Sequence, residues 1–446
     1  MVGTVVGTVK RVVRGRLVWF EDDDQPIVYE RGALAVEDGQ IRWSGDFSAL
    51  PEIFKDWPHD DHGTRIITPG FIDPHIHFPQ SQVVGSYAGS LLEWLNTYTF
   101  IEEQRYGEAA FCAVMANRFL DQLIQHGTTT CVAFASVHKV AASSLLDAAV
   151  ERNYRLVTGK SMMDRNAPEA LLDTAQTSYD DTKDLIAGWH GKGRVEVAIT
   201  PRFALTSTEA QMEAIGDLVR EYPDCLLQTH LSENLAELEA VREAYPSALD
   251  YTDVYDRYGH LTSKSLMGHC IHLSNREVSC LAERGSVAVF CPTSNLFLGS
   301  GLFDMQRLTD AGVRTAIATD IGGGTSWSML STLSEGYKVL NVQGQRWHPF
   351  SMFRQATRGN AEAIGMEDRI GSLRAGMEAD FIVLDVEATS AMALRAETVT
   401  SLEEELFVLA ILGDDRAVVE VYIAGIPSKT VNQIGKPLAG QSYSAT

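Results

Sequence analysis

Apolar and polar positions change their rhythm twice along this chain. Up to about residue 66 the apolar runs are short and strand-like, at 4–9, 16–20, 32–36 and 40–43, with Asp38-Gly39 as a hairpin turn between the last two. From about 67, strand-like runs alternate with helix-like stretches. One run leads into His75, and seven more follow at 131–135, 156–162, 195–200, 226–229, 265–268, 287–291 and 315–318. Between them lie helical segments such as 109–125, closed by Gly127, and 207–220. Eight strand–helix units are the number of a closed parallel barrel. After about 366 the strand character returns at 371–373, 379–384 and 418–423. The pattern predicts an α/β chain: a (β/α)8 TIM-type barrel over 67–366, and a small composite β-sandwich domain built from both termini, 1–66 and 367–446.

Composition narrows the function. The 446 residues carry 59 acidic and 37 basic side chains, a net charge of −22. A surface that negative repels phosphate backbones, so nucleic acid is excluded as a partner and a heavily phosphorylated substrate is disfavoured. Glu21-Asp22-Asp23-Asp24 and Asp60-Asp61 read as solvated loops. The first residues hold Lys10, Arg11, Arg14 and Arg16 but no long apolar stretch, so they do not read as a signal peptide. No run of about 20 apolar residues would span a membrane. A cytoplasmic location is the default expectation. Six cysteines, none in a C-x-x-C pair, read as buried thiols. Their spacing also lacks the P-C-x-x-C signature of cytidine-deaminase zinc sites.

The chemistry gathers at predicted strand ends, where a parallel barrel keeps its active site. Strand one ends in His75 and His77, which share a face because the strand period is two. The fifth ends in His230 and continues to Glu233. The sixth ends in His269, and the eighth in Asp320 ahead of three glycines. One strand-end histidine is ordinary core; four histidines and an aspartate converging on one mouth call for a metal. An N/O donor set suits zinc, one ion per chain, and also iron(II). Such an ion would lower the pKa of bound water to about 7. The other eight histidines read as surface or core residues.

P-G-F-I-D-P-H-I-H, H-L-S-E, a strand-end His and a strand-end Asp before glycines together resemble the amidohydrolase superfamily of metal-dependent barrel hydrolases. Residues 371–384 resemble that superfamily's return into its β-sandwich. Within it, H-I-H-F-P-Q at 75–80, L-L-E-W-L-N-T-Y-T-F at 91–100, T-P-R-F-A-L at 200–205 and H-L-S-E-N at 230–234 resemble the guanine deaminase family. So do C-P-T-S-N-L at 291–296, T-D-I-G-G-G at 319–324 and L-G-D-D-R at 412–416. Gly268, Cys270 and Ile101 depart from the pattern at the flanks of the site.

The resemblance implies hydrolytic deamination of guanine to xanthine and ammonia, with the purine base as small-molecule partner and a homodimeric assembly. It implies His75, His77, His230 and Asp320 as metal ligands, and Glu233, His269 and Asp320 as catalytic groups. Asp320 would move the water's proton to the leaving amine, Glu233 would protonate the ring, and His269 would hydrogen-bond the attacking oxygen or complete the ligand set. It implies Gln80, Arg202 and Phe203 as the substrate-binding residues. On the residues alone Arg202 reads as a rim salt bridge with little weight in stability, and Phe203 as core. Trp94 either walls the pocket or packs beneath a loop. The alternatives are a mononuclear aminohydrolase for another heterocycle (8-oxoguanine, cytosine, a triazine), a two-metal amide hydrolase bridged by a carboxylated Lys160, and an inactive scaffold.

Overall fold

A computed structural model describes residues 9–87 and 91–429. The predicted strand at 4–9 lies almost wholly outside them. Strands β1 (Lys10–Trp19), β2 (Ile27–Glu37) and β3 (Gln40–Asp46) form an antiparallel meander. The predicted turn joins β2 to β3, with Asp38 and Gly39 both at positive φ, as a two-residue hairpin requires. β4 (His59–Pro69) pairs parallel to β1 and runs through Asp60-Asp61. The expectation of a solvated loop there is corrected: Asp60 is ion-paired with Arg11 and accepts from Tyr422 at 3.1 Å, while Asp61 pairs with Arg14 at 3.0 Å. Residues 21–24 do form a loop with Asp22 to Asp24 exposed, and Glu21 accepts from the Trp19 indole at 2.9 Å. Charge runs read as solvent-facing only until the opposite charges of a neighbouring strand are known.

The parallel strands come next: β5 (Phe71–His77), β6 (Thr128–Phe134), β7 (Arg155–Gly159), β8 (Ser161–Met162), β9 (Val195–Val197), β10 (Thr200–Pro201), β11 (Leu227–Leu231), β12 (Ser265–His269), β13 (Val287–Phe290) and β14 (Arg314–Ile317). They form two four-stranded sheets, β5-β6-β7-β9 and β11-β12-β13-β14, plus the short pair β10-β8. Hydrogen bonds link the two larger sheets at both edges. Ile199 bridges Leu227 on one side. On the other, Asp320 N donates to His75 O at 3.0 Å and His77 N to Ile321 O at 2.6 Å. Asn360 ties that second edge, its amide donating to Ile72 O at 2.8 Å and Ile317 O at 2.7 Å while accepting from Ile317 N. The helix at Ala109–Gln125 has the bounds read from its pattern.

Period-two alternation divides these strands between two cores. Ile72, Val132, Val157, Ala198, Leu226, Leu266, Val287 and Ala316 meet in one cluster. Their neighbours Phe71, Cys131, Leu156, Val195, Leu227, Met267, Ala288 and Ile317 face the helices in another.

β15 (Phe381–Leu384), β16 (Val418–Ile423) and β17 (Ile426–Pro427) return to the first sheet, which runs β17-β16-β15-β4-β1-β2-β3. The two chain ends therefore share one seven-stranded sheet. Two helices absent from the strand-like reading of the tail, Ser390–Ala396 and Leu402–Leu412, intervene. No helix among the described residues is long and apolar enough to cross a membrane.

Candidate active site

The strand ends bring the predicted residues together. His75, His77, His269 and Asp320 are buried, and His230 is nearly so. Five pairings of the four imidazoles have ring centroids 4.8–5.5 Å apart. Asp320 Oδ1 lies 3.2 Å from His77 Nε2 and 3.6 Å from His75 Nε2, and its Oδ2 is 3.8 Å from His269 Nε2. Burial first, then the neighbouring rings, pushes His75 and His230 well below the ordinary imidazole range; burial lowers His77 and His269. These are neutral imidazoles at neutral pH.

Backbone geometry at the same ends is costly. Ser232, His269, Cys270 and Asp320 all sit at φ between 51° and 73°, a region L-residues enter at a penalty. Gly268 departs from the expected pattern for a steric reason: a Cβ there would lie 2.5 Å from the His75 ring. The residue's smallness admits the imidazole.

The metal question can be put to the donor atoms. His230 Nδ1 donates to the Arg202 carbonyl at 2.6 Å, so Nε2 carries a lone pair. That lone pair faces His77 Nε2 at 3.2 Å, an arrangement that calls for a cation or proton between them. Both His75 nitrogens and His77 Nδ1 are buried without a hydrogen-bond partner. Candidate donor atoms of His75, His230 and His269 lie within 4.8 Å of one another, as do those of His75, Cys291 and Asp320. The residues fit a divalent ion.

Glu233 and Asp320 are near neighbours in opposite states. Burial, and then the Asp320 charge, pushes Glu233 up to about 8, against a hydrogen bond from Ser300 at 2.8 Å. Burial also acts to raise Asp320, but the His77 hydrogen bond and the electrostatics of the His269 and His77 rings outweigh it and hold it below the usual carboxylate range. Glu233 Oε2 is 3.5 Å from His269 Nε2.

Gln80, Arg202, Phe203, Trp94, His77, His230, Glu233, His269 and Asp320 line one pocket. Trp94 is thus a wall, its indole N–H unpartnered. None of the other eight histidines lines it. Arg202 corrects an expectation: it is 3% exposed and paired with Glu103 at 2.7 Å, so its loss would weigh on stability. Lys160 is buried against Asp173 and does not line the pocket. Ile101 is 61% exposed, outside the pocket lining.

Several residues escaped the sequence reading. Asp73 accepts from Thr319 N at 3.2 Å and from the Thr319 hydroxyl, bracing the turn that carries Asp320. Asn295 meets His269 Nδ1 at 3.0 Å. Glu237 lines the pocket, takes a hydrogen bond from Tyr251 at 2.8 Å, and is raised to about 7 by burial and by Glu233. Glu237 alone had a usable signal: it stands three residues past Asn234, a helix capping box.

The amidohydrolase family profile matches residues 66–426, most of the chain. The guanine deaminase of Escherichia coli (strain K12) is 44% identical over 400 residues, 89% of this chain and 90% of that one. The chain belongs to the amidohydrolase family, among its guanine deaminases. The solved E. coli guanine deaminase superposes with a TM-score of 0.91 at 41% identity, covering 94% of this chain and 99% of that one. The guanine deaminase of C. acetobutylicum, solved with guanine in its active site, superposes at 0.85 with 29% identity over 94% of this chain and all of the other.

Proposed function

We propose that this amidohydrolase hydrolyses guanine to xanthine and ammonia in the pocket at its strand ends. The carrying observation is geometric: Glu233, His269 and Asp320 line one pocket beside buried histidine nitrogens without partners, and the two carboxylates are pushed apart, Glu233 up and Asp320 down. Paired groups pushed apart in this way mark an acid and a base. Similarity to enzymes named guanine deaminase supports the substrate.

In this reading His75, His77, His230 and Asp320 hold one divalent ion, with zinc the first choice for the donor set. When bound, it supplies the Lewis acidity that makes water nucleophilic near neutral pH. The chain's own residues do the rest. Asp320, ionised, accepts the water's proton and returns it to the departing amine. Glu233, protonated, donates to the ring nitrogen beside C2 and regains a proton from the C2 hydroxyl as the amine departs and the oxo group forms. The Asn295 amide donates to His269 Nδ1, which puts a proton on Nε2 and makes His269 a hydrogen-bond donor to the attacking oxygen rather than a further ligand. Phe203 offers a ring face to the base, Arg202 a donor to O6, and Gln80 an amide to the purine edge.

We also read the two parallel sheets, joined by hydrogen bonds at both edges, as one closed (β/α)8 barrel over 67–366. The described residues of the two terminal regions, 9–66 and 367–429, then make the second domain around their shared seven-stranded sheet. Six unpaired cysteines support a reducing compartment such as the cytoplasm. The homodimer implied by resemblance is checked by sedimentation.

The deciding experiment is ultraviolet monitoring of the purified, metal-replete enzyme on guanine, 8-oxoguanine, cytosine, adenine, a triazine and guanosine, with elemental analysis alongside. Guanine-to-xanthine conversion with one metal per chain supports the reading. Preference for another base, or for guanosine, overturns the substrate; two metals per chain overturn the site.

A further inference from the structure

Behind the pocket wall, one carboxylate touches two of the residues read as substrate-binding. Glu103 sits in the short helix Phe100–Gln104, just after the π-helical turn Leu95–Thr99, in the segment that also supplies Leu91, Trp94 and Leu95 to the wall. It is 0% exposed and is not itself a lining residue. A buried carboxylate is costly unless its oxygens are occupied, and these are. Both accept from Arg202 Nη1, at 2.8 and 2.7 Å, and Oε1 also accepts from Gln80 Nε2 at 3.1 Å. The Arg202 guanidinium is seated further by the Phe100 ring, 5.4 Å away.

Two consequences follow for what the pocket presents. Arg202 bonds Glu103 through Nη1 alone, leaving the guanidinium's remaining N–H groups for a ligand. The Gln80 amide has one orientation only. Its Nε2 meets an oxygen that can only accept, and its Oε1 meets Gly322 N, which can only donate, at 3.1 Å. Without Glu103 the amide could rotate, and the guanidinium would lose the partner that sets its plane.

We propose that Glu103 is a positioning residue that determines specificity: it fixes the donor–acceptor pattern that Gln80 and Arg202 offer to the oxo edge of the base. The inference rests on the proposed guanine reading, in which those two residues bind substrate.

The test uses metal-replete enzyme and two competitive inhibitors, hypoxanthine, which has the 6-oxo group, and purine, which lacks it. Inhibition constants do not depend on the fraction of folded molecules. Wild type should favour hypoxanthine. In Glu103→Gln that preference should fall by roughly tenfold or more, the size of one charge-assisted hydrogen bond. KM for guanine should rise while kcat falls less. Glu103→Asp, which keeps the charge, should recover part of the preference, and it carries the measurement if the amide variant does not fold. A preference ratio unchanged from wild type in either variant, with metal content intact, would overturn the proposal. Absence of guanine turnover by wild type is a separate result and removes the functional reading itself.

Discussion

The two ends of the parallel strands bury charge to opposite purposes. At the N-terminal ends, Arg155 opens β7 and Arg194 stands just before β9. Glu378 accepts from both, at 2.8 and 2.9 Å, and Asp380 pairs with Arg194 while accepting from Ala424 N at 2.8 Å. Arg194 also donates to Asn153 O at 2.8 Å. This cluster locks the strands to the returning tail, its charges matched. At the C-terminal ends, histidine nitrogens lack partners, four non-glycine residues take left-handed backbone, and Glu233 holds a proton against its ordinary preference. Burial of charge alone therefore does not identify a site. Spare hydrogen-bonding capacity and strain do.

The comparison is sharpest in a pair of single substitutions. Glu233→Gln keeps shape and metal but removes the proton carrier, so kcat should fall by roughly 10²–10⁴ with no loss of melting temperature. Near-normal turnover in a metal-replete variant would move the acid elsewhere. Glu378→Ala, at the other end, should do the reverse. It leaves Arg155 and Arg194 short of a partner, and loss of one member of a buried pair costs about 3–5 kcal/mol. Denaturant melts should show that loss, while kcat/KM per folded molecule stays at the wild-type value; a kinetic defect would mean that the two ends are coupled.

The ends should also answer pH in opposite directions. Glu233 is raised from 4.5 to about 8, so its protonated form is favoured by folding. Its contribution to stability is complete below about 4.5 and is lost as pH rises through about 8. Activity should fall on the same limb, by about tenfold per pH unit, as the acid loses its proton. Glu378 runs the other way. Burial acts to raise it, but hydrogen bonds from Arg155 and the charges of Arg194 and Arg155 hold it below 4.5. Its contribution is present above that value and is lost as pH falls through its lowered pKa. A rate profile flat to pH 10 would contradict the assignment of Glu233. The smallest effect belongs to neither end. Asp60→Asn, at the partly exposed Arg11 pair, should change stability by about 1 kcal/mol or less, which thermal melts can check.

The sequence by itself determined what is local. Period two put His75 and His77 on one face, and strand–helix alternation put His230, His269 and Asp320 at strand ends. Turn chemistry placed Asp38-Gly39, and the helix at Ala109–Gln125 followed from its pattern and Gly127. Tertiary structure decided what depends on partners distant in sequence. Glu103 and Arg202 are 99 residues apart, Arg155 and Glu378 are 223, and no spacing rule connects them. Asp60-Asp61 read as a loop until β4 paired with β1 and laid Arg11 and Arg14 beside them. Gly268 looked like a departure until the His75 ring arrived against it. Periodicity acts through the backbone of a single segment, so it is written in the chain. Desolvation and hydrogen-bond matching depend on which segments meet, and only the folded arrangement sets that.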